Sequence, residues 1–195
     1  MSEDPGSLRD ELQALLASRA IQFGDFVLTS GRRSDYYVDG KQVTLDGRGL
    51  YLVSRLGLER CRALAVDAVG GLTLGADPIA AGIAVLSGAT ERRLRAFIVR
   101  KEAKSHGTGR AIEGPSLGPG MRVLLVDDTL TTGGTFLSAR DRVAETGAVV
   151  VEALCVVDRD EGGRAALEAA GIPLYALFHR SEFHAADAAV STPRA

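Results

Sequence analysis

The chain has 195 residues, 46% of them hydrophobic, which is enough for one sizeable core and short for two. A formal net charge of -2 leaves no global positive field for nucleic acid or an anionic membrane, so any polyanion has to be held by a local cluster. No apolar run approaches the ~20 residues of a membrane span, and MSEDPGSLRD lacks the basic and apolar regions of a signal peptide, so a cytoplasmic protein is expected.

Leu8, Leu12, Leu15 and Leu16 recur at helical spacing after Ser7, which is read as the N-cap, and predict an amphipathic helix ending near Ala20. Strand-like runs follow, FVLT around Phe26 and DYYVDG around Tyr37, separated by the turn-forming SGRRS. Residues 1–45 are therefore expected to form a small N-terminal hood.

From Asp46 the pattern becomes regular. The helical stretch GRGLYLVSRLGLERC leads into the apolar run ALAVDAVG, and GGLTLGADPIAAGIAVLS predicts a helix with Pro78 near its start or at an irregularity. The strand LRAFIVR, a long polar loop to Gly120, the strand MRVLLVDD and the helix TFLSARDRVAETG come next, the last ended by Gly147. AVVVEALCVVDR, EGGRAALEAAG and IPLYALF complete the core as strand, helix and strand. Such alternation predicts an α/β fold over residues 46–180, a central mostly parallel sheet flanked by helices, with ligands beyond the carboxyl ends of the strands. Residues 181–195 form a tail without an assigned function. Cys61 and Cys155 are isolated among apolar residues and read as reduced, buried thiols. His179 and His184 match no motif and read as structural or surface groups rather than metal ligands.

The string VLLVDDTLTTGGT, from Val123 to Thr135, sets two acids at the end of a buried strand and a threonine-glycine turn before a helix. Amides at a helix N-terminus, threonine hydroxyls and permissive glycines suit a phosphate. Adjacent carboxylates suit sugar hydroxyls, a bound cation, or positive charge developing at a reacting carbon. The plain alternative is a helix cap and an ordinary turn, but capping needs one acid and no repeated threonines. Neither a Walker A loop nor GxGxxG is present. The string resembles the phosphoribosyl pyrophosphate (PRPP) binding motif of type I phosphoribosyltransferases. That resemblance implies that Asp127 and Asp128 contact the ribose hydroxyls while the loop carrying Thr129, Leu130, Thr131, Thr132, Gly133, Gly134 and Thr135 cradles the 5-phosphate.

RKEAKSHGTGRAIEG places Arg100, Lys101, Lys104 and His106 in a glycine-containing segment, where cations could neutralise a pyrophosphate or simply form a solvated loop. The string is similar to the catalytic loop of orotate phosphoribosyltransferases, with RK, two residues, K, one residue and HG. The resemblance implies that these four residues contact the donor's pyrophosphate across a homodimer interface. In VVDRDEGG, Arg159 suits a planar substrate with carboxylate oxygens, or else an ion pair with Asp160 or Glu161. In the family, the matching arginine and the first threonine of the loop contact orotate, which maps to Arg159 and Thr131. FVLTSGRRSDYYVDG resembles the segment whose aromatic pair flanks the base, here Tyr36 and Tyr37, with Ser30, Gly31 and Ser34 also fitting. Thr29 stands where many members carry a lysine. AVDAVGGLTLGADPIAAGIA looks like the segment supporting the pyrophosphate, with Gly70 and Gly71 giving amides room there and no lysine present.

The resemblance thus implies transfer of the phosphoribosyl group from PRPP to orotate, with Mg2+ carried mainly by the donor and water. Asp127, Asp128, Lys101, Lys104 and His106 are the candidate catalytic groups, and neither nucleic acid nor a membrane is an expected partner. Two alternatives share the donor motif. A purine-type phosphoribosyltransferase should lack the RKxxKxHG string, and a non-catalytic regulator on the same fold should show a broader basic face.

Overall fold

The computed structural model describes residues 4–27, 33–101 and 111–184. Expectations for Thr29, Ser30, Gly31, Lys104 and His106 lie outside the described residues. Helix α1 (Pro5–Leu15) opens with Asp4 as N-cap, its carboxylate accepting from the Ser7 amide at 3.1 Å, and with Pro5 in the first turn. Ser7 is therefore not the cap: the helix starts earlier because Asp-Pro supplies both an acceptor and a preset φ. A π turn (Leu16–Ala20) then feeds β1 (Ile21–Val27), which pairs antiparallel with β2 (Arg33–Val38). A single helical turn, α2 (Lys41–Thr44), connects this hairpin to the core.

The core runs α3 (Gly47–Leu64), β3 (Ala68–Leu72), α4 (Ala76–Ser87), β4 (Arg95–Val99), β5 (Ile112–Glu113), β6 (Arg122–Leu130), α5 (Gly134–Ala144), β7 (Val149–Asp158), α6 (Gly163–Ala169) and β8 (Leu174–His179). The sheet order is β5-β4-β3-β6-β7-β8, parallel throughout except for the short β5, which pairs antiparallel with β4. This is the expected mostly parallel sheet, with β5 and α2 too short to leave a periodic signal.

Both faces of the sheet are covered, and the strands alternate accordingly. Leu124, Val126, Leu154 and Val156 pack with α1, α3 and α4, through Leu12, Leu52 and Ile79 among others. Val123, Leu125, Ala153 and Cys155 pack with α5 and α6, through Phe136, Val143 and Leu167. Continuous apolar strands follow from this double burial. Asp46 caps α3 by accepting from the Arg48 and Gly49 amides, and Ala65 ends it in the left-handed region at φ 50°. The α3–β7 packing encloses a charged pair, in which Arg60 Nε donates to Glu152 Oε1 at 2.7 Å and its other nitrogen reaches Oε2. Within the apolar run ALAVDAVG the strand begins only at Ala68, because α3 continues through Leu64. The following helix starts at Ala76, with Pro78 in its first turn, where no intrahelical amide bond is lost. Cys61 and Cys155 are free and buried, and burial pushes the Cys61 thiol up to about 12, consistent with inert core thiols.

Candidate active site

Strand β6 delivers Asp127 and Asp128 to the carboxyl edge of the sheet, and the following turn reaches α5 at Gly134. Gly133 makes this turn at φ 85°, a conformation for which glycine is suited. The amides of the first turn of a helix have no acceptor within it, and Gly133, Gly134 and Thr135 line the space above the strand ends. A cleft of about 340 Å3 lies there, within the range of small-ligand sites. It is lined by Asp127, Asp128, Thr129 and Thr131–Thr135 from the acid-threonine string, by Lys101, by residues 72–75, and by Lys41.

The acid pair is tightly held. Asp127 is 7% exposed and Asp128 4%. Asp127 Oδ1 accepts from the Asp128 amide at 3.0 Å, and Asp128 Oδ1 accepts from the Thr129 hydroxyl at 3.3 Å. Backbone presses on both: a Cβ on Gly75 would lie 2.0 Å from Asp127 Oδ1, and one on Gly40 would lie 2.8 Å from Asp128 Cβ. Burial, and then the neighbouring charge of Asp128, push Asp127 up to about 7 against the hydrogen bonds from the Asp128 amide and Thr135. Lys41 Nζ donates to Asp128 Oδ2 at 3.1 Å and lies 3.6 Å from Asp39 Oδ1. Burial pulls the Lys41 ammonium down, but the charge and hydrogen bond of Asp128, helped by Asp39, leave it above its ordinary value.

A second cluster joins the hood to the end of β7. The Tyr36 hydroxyl donates to the Arg159 carbonyl at 2.9 Å and accepts from Arg159 Nε at 3.4 Å, and the Arg159 guanidinium lies 5.0 Å from the ring centroid. Arg159 pairs with Glu161 at 2.7 Å, with side chains only 9% and 14% exposed. The ion pair weighed from the sequence is thus present with Glu161, half-buried rather than on the open surface. Arg180 also lies over the Tyr36 ring, 4.4 Å from its centroid, and 5.0 Å from that of Phe23.

Several expected site residues stand outside the cleft lining. Leu130 is fully buried, its side chain crowding Gly163 and its carbonyl accepting from the Arg159 amide, because the strand continues through it. Arg100 turns to Glu113 on β5 at 3.3 Å. Tyr37 is 41% exposed, its ring beside Phe26, since alternation along β2 turns it away from Tyr36. Tyr36 and Arg159 sit together in the hood cluster and do not line the cleft itself. Gly70 and Gly71 lie inside β3, where a Cβ would strike the Phe97 and Val126 carbonyls at 2.2 and 2.3 Å; they serve close strand packing, and the loop at the cleft is residues 72–75.

His179 lies with Asp158 and Asp160 in a cluster of metal-ligating types. Its ring accepts from the Glu182 amide, and Arg164 lies 3.2 Å from Asp158 Oδ2, so the cluster is engaged by protein groups. Lys41, Gly40 and Gly75 were missed by sequence reasoning; only their spatial approach to Asp127 and Asp128 singles them out.

Residues 68–169 match the family described as Phosphoribosyl transferase domain. An orotate phosphoribosyltransferase of Thermosynechococcus vestitus is 51% identical over 185 residues, covering 95% of this chain and 97% of that protein. A solved orotate phosphoribosyltransferase of Mycobacterium tuberculosis superposes with a TM-score of 0.78 at 42% identity, over 90% of this chain and 98% of the other. A second structure of that protein, in complex with 5-phospho-alpha-D-ribosyl 1-diphosphate, gives 0.70 at 37%, over 95% and 98%. A shared strand-turn-helix alone would leave the acceptor base open, but these matches cover nearly the whole chain, and the chain belongs to the orotate phosphoribosyltransferase family.

Proposed function

We propose that the cleft above β6 holds PRPP in the reaction that family membership assigns to this chain, transfer of the phosphoribosyl group to orotate. The products are orotidine 5'-monophosphate and diphosphate. One observation carries the assignment of the site: the acid pair and the helix-terminal threonine-glycine turn line the same cavity, so a single ligand can span both. Asp127 and Asp128 accept from the ribose hydroxyls, and the turn from Thr131 to Thr135 takes the 5-phosphate. As the bond from ribose C1 to the diphosphate oxygen breaks, positive charge grows on the sugar and negative charge on the leaving group, and N1 of orotate supplies the electrons of the new bond and releases its proton, which offsets the one the diphosphate takes up. Carboxylates beneath the sugar stabilise the first charge, and Lys101, Lys104 and His106 the second, with one of them giving a proton to the diphosphate.

Mg2+ would supply further neutralisation of the diphosphate. The cleft suits such a hard cation, since its acidic and hydroxyl side chains offer oxygen, and neither sulfur nor imidazole is among the described lining residues. At the base end, Arg159 and Thr131 are proposed to hold orotate, with Tyr36 and Tyr37 beside it. The half-buried guanidinium of Arg159, braced by Tyr36, supports this, because it carries a rigid fork of donors. A homodimer with a shared basic loop accounts for Leu74 at the cleft and Val85 on α4, apolar groups exposed by 70% and 76%. The division into a hood over 1–45, a core over 46–180 and a tail, and a cytoplasmic location compatible with two free buried thiols, belong to the same proposal.

Diphosphate release from PRPP and Mg2+ with orotate, uracil, adenine or hypoxanthine tests the reading. Turnover with orotate is expected; turnover with hypoxanthine and not orotate refutes it.

A further inference from the structure

Lys41 belongs to none of the strings that mark the proposed donor site, yet its ammonium reaches Asp128 of the acid pair from α2, within the same cleft. Its place is built. Asp39 starts the α2 turn, its carboxylate accepting from the Lys41 amide at 3.3 Å and from Gln42 Nε2 at 3.1 Å. Val43 and Thr44 anchor the turn in the interior at 0% exposure, and the Val43 carbonyl lies where a Cβ on Gly49 would be, so α3 closes directly over it. Gly40 presses its backbone on Asp128. The Lys41 stem is thus fixed at its base while Nζ spans the gap to Asp128 Oδ2.

Charge makes the same case. Two adjacent, nearly buried carboxylates repel, and Lys41 and Lys101 are the cations among the described lining residues. Lys41 is the one with a hydrogen bond to the pair. We infer that Lys41 is a positioning residue of the donor site, holding the Asp128 carboxylate by a direct hydrogen bond in the orientation that meets the ribose hydroxyls and locking the hood to the core at that point. The inference rests on the reading that the acid pair holds the ribose.

Calorimetric titration of the full-length protein with PRPP and Mg2+ in the absence of orotate tests it, using Lys41→Ala, Lys41→Arg, Asp128→Asn and the double variant Lys41→Ala/Asp128→Asn. Loss of a charge-assisted hydrogen bond from a half-exposed lysine is expected to weaken PRPP about tenfold in Lys41→Ala. Lys41→Arg should recover most of this, and the KM for orotate should move by less than about twofold. Because Lys41 acts through Asp128, the double variant should bind PRPP within about twofold of Asp128→Asn alone. Multiplied losses in the double variant would mean that Lys41 grips the donor itself and would overturn the inference. So would unchanged PRPP affinity in Lys41→Ala, with or without a lower melting temperature, provided Asp128→Asn binds weakly. Unchanged affinity in Asp128→Asn would instead overturn the ribose assignment on which the inference stands.

Discussion

Substituting Gly75 by alanine inserts one methyl group against the acid pair without touching either acid. Gly75 has φ -60° and ψ -37°, so alanine fits the backbone, and the loss of unfolded-chain freedom should favour the variant by about 0.4–1 kcal/mol. Packing opposes this. The added Cβ would sit 2.0 Å from Asp127 Oδ1 and 2.6 Å from Asp128 Oδ1, where an ordinary contact is at least 3.4 Å, so Oδ1 of Asp127 must retreat by about 1.4 Å or α4 must move. That oxygen accepts from the Asp128 amide at 3.0 Å, so retreat gives up a hydrogen bond in a buried site. Overpacking of this kind costs about 1–3 kcal/mol and outweighs the entropic gain. The net loss of about 1–2 kcal/mol should lower the melting temperature by roughly 2–8 °C in a chain of this size. A misplacement of about 1 Å at reacting groups costs on the order of hundredfold in turnover, so kcat/KM for PRPP should fall much further than stability. Melting curves and diphosphate-release kinetics on the same preparation check both. Wild-type kcat/KM for PRPP in Gly75→Ala, with the melting temperature unchanged, would refute the claim that backbone contact sets the position of the carboxylates.

Asp127 offers a test by pH. Its folded value is raised to about 7 from an ordinary 3.8, so its contribution to stability is fully present below about pH 4 and is lost as pH rises through 7. Asp127→Asn, neutral throughout, should therefore gain stability relative to the parent across that window in denaturant titrations, and a constant difference would contradict the burial argument. Arg60→Ala strands Glu152, which is 3% exposed, and should cost about 3 kcal/mol, whereas a loss under about 1 kcal/mol would make the pair dispensable. Mixing Lys101→Ala with Asp128→Asn should restore part of the activity in heterodimers if the basic loop is shared; failure to restore any would remove the support for a shared site.

Much was legible in the chain before its fold. The α/β alternation was readable because strands buried on both faces are continuously apolar: Val123 to Val126 and Ala153 to Val156 face opposite helical layers in turn. The strand-acid-turn arrangement at the cleft was readable because strand, acids and helix start are contiguous, so local sequence carries the geometry. The same locality limited the reading. Ser7 and Asp4 both stand before the leucine repeat, and which one caps α1 depends on where Pro5 starts the helix. Gly70 and Gly71 look like a ligand loop, but neighbouring strands three-dimensionally adjacent to them explain why they lack side chains.

What the sequence by itself determined is the order of elements, the two-sided sheet and the acid-threonine string that lines the cleft, since each follows from periodicity or from residues in one short run. Tertiary structure alone decided that Lys41, 87 positions before Asp128, bonds to it, that Tyr36 braces Arg159 across 123 positions, and that Gly40 and Gly75 hem in the acids. The reason is physical: a contact between distant segments is set by how the hood docks on the carboxyl edge of the sheet, and no local propensity encodes that docking.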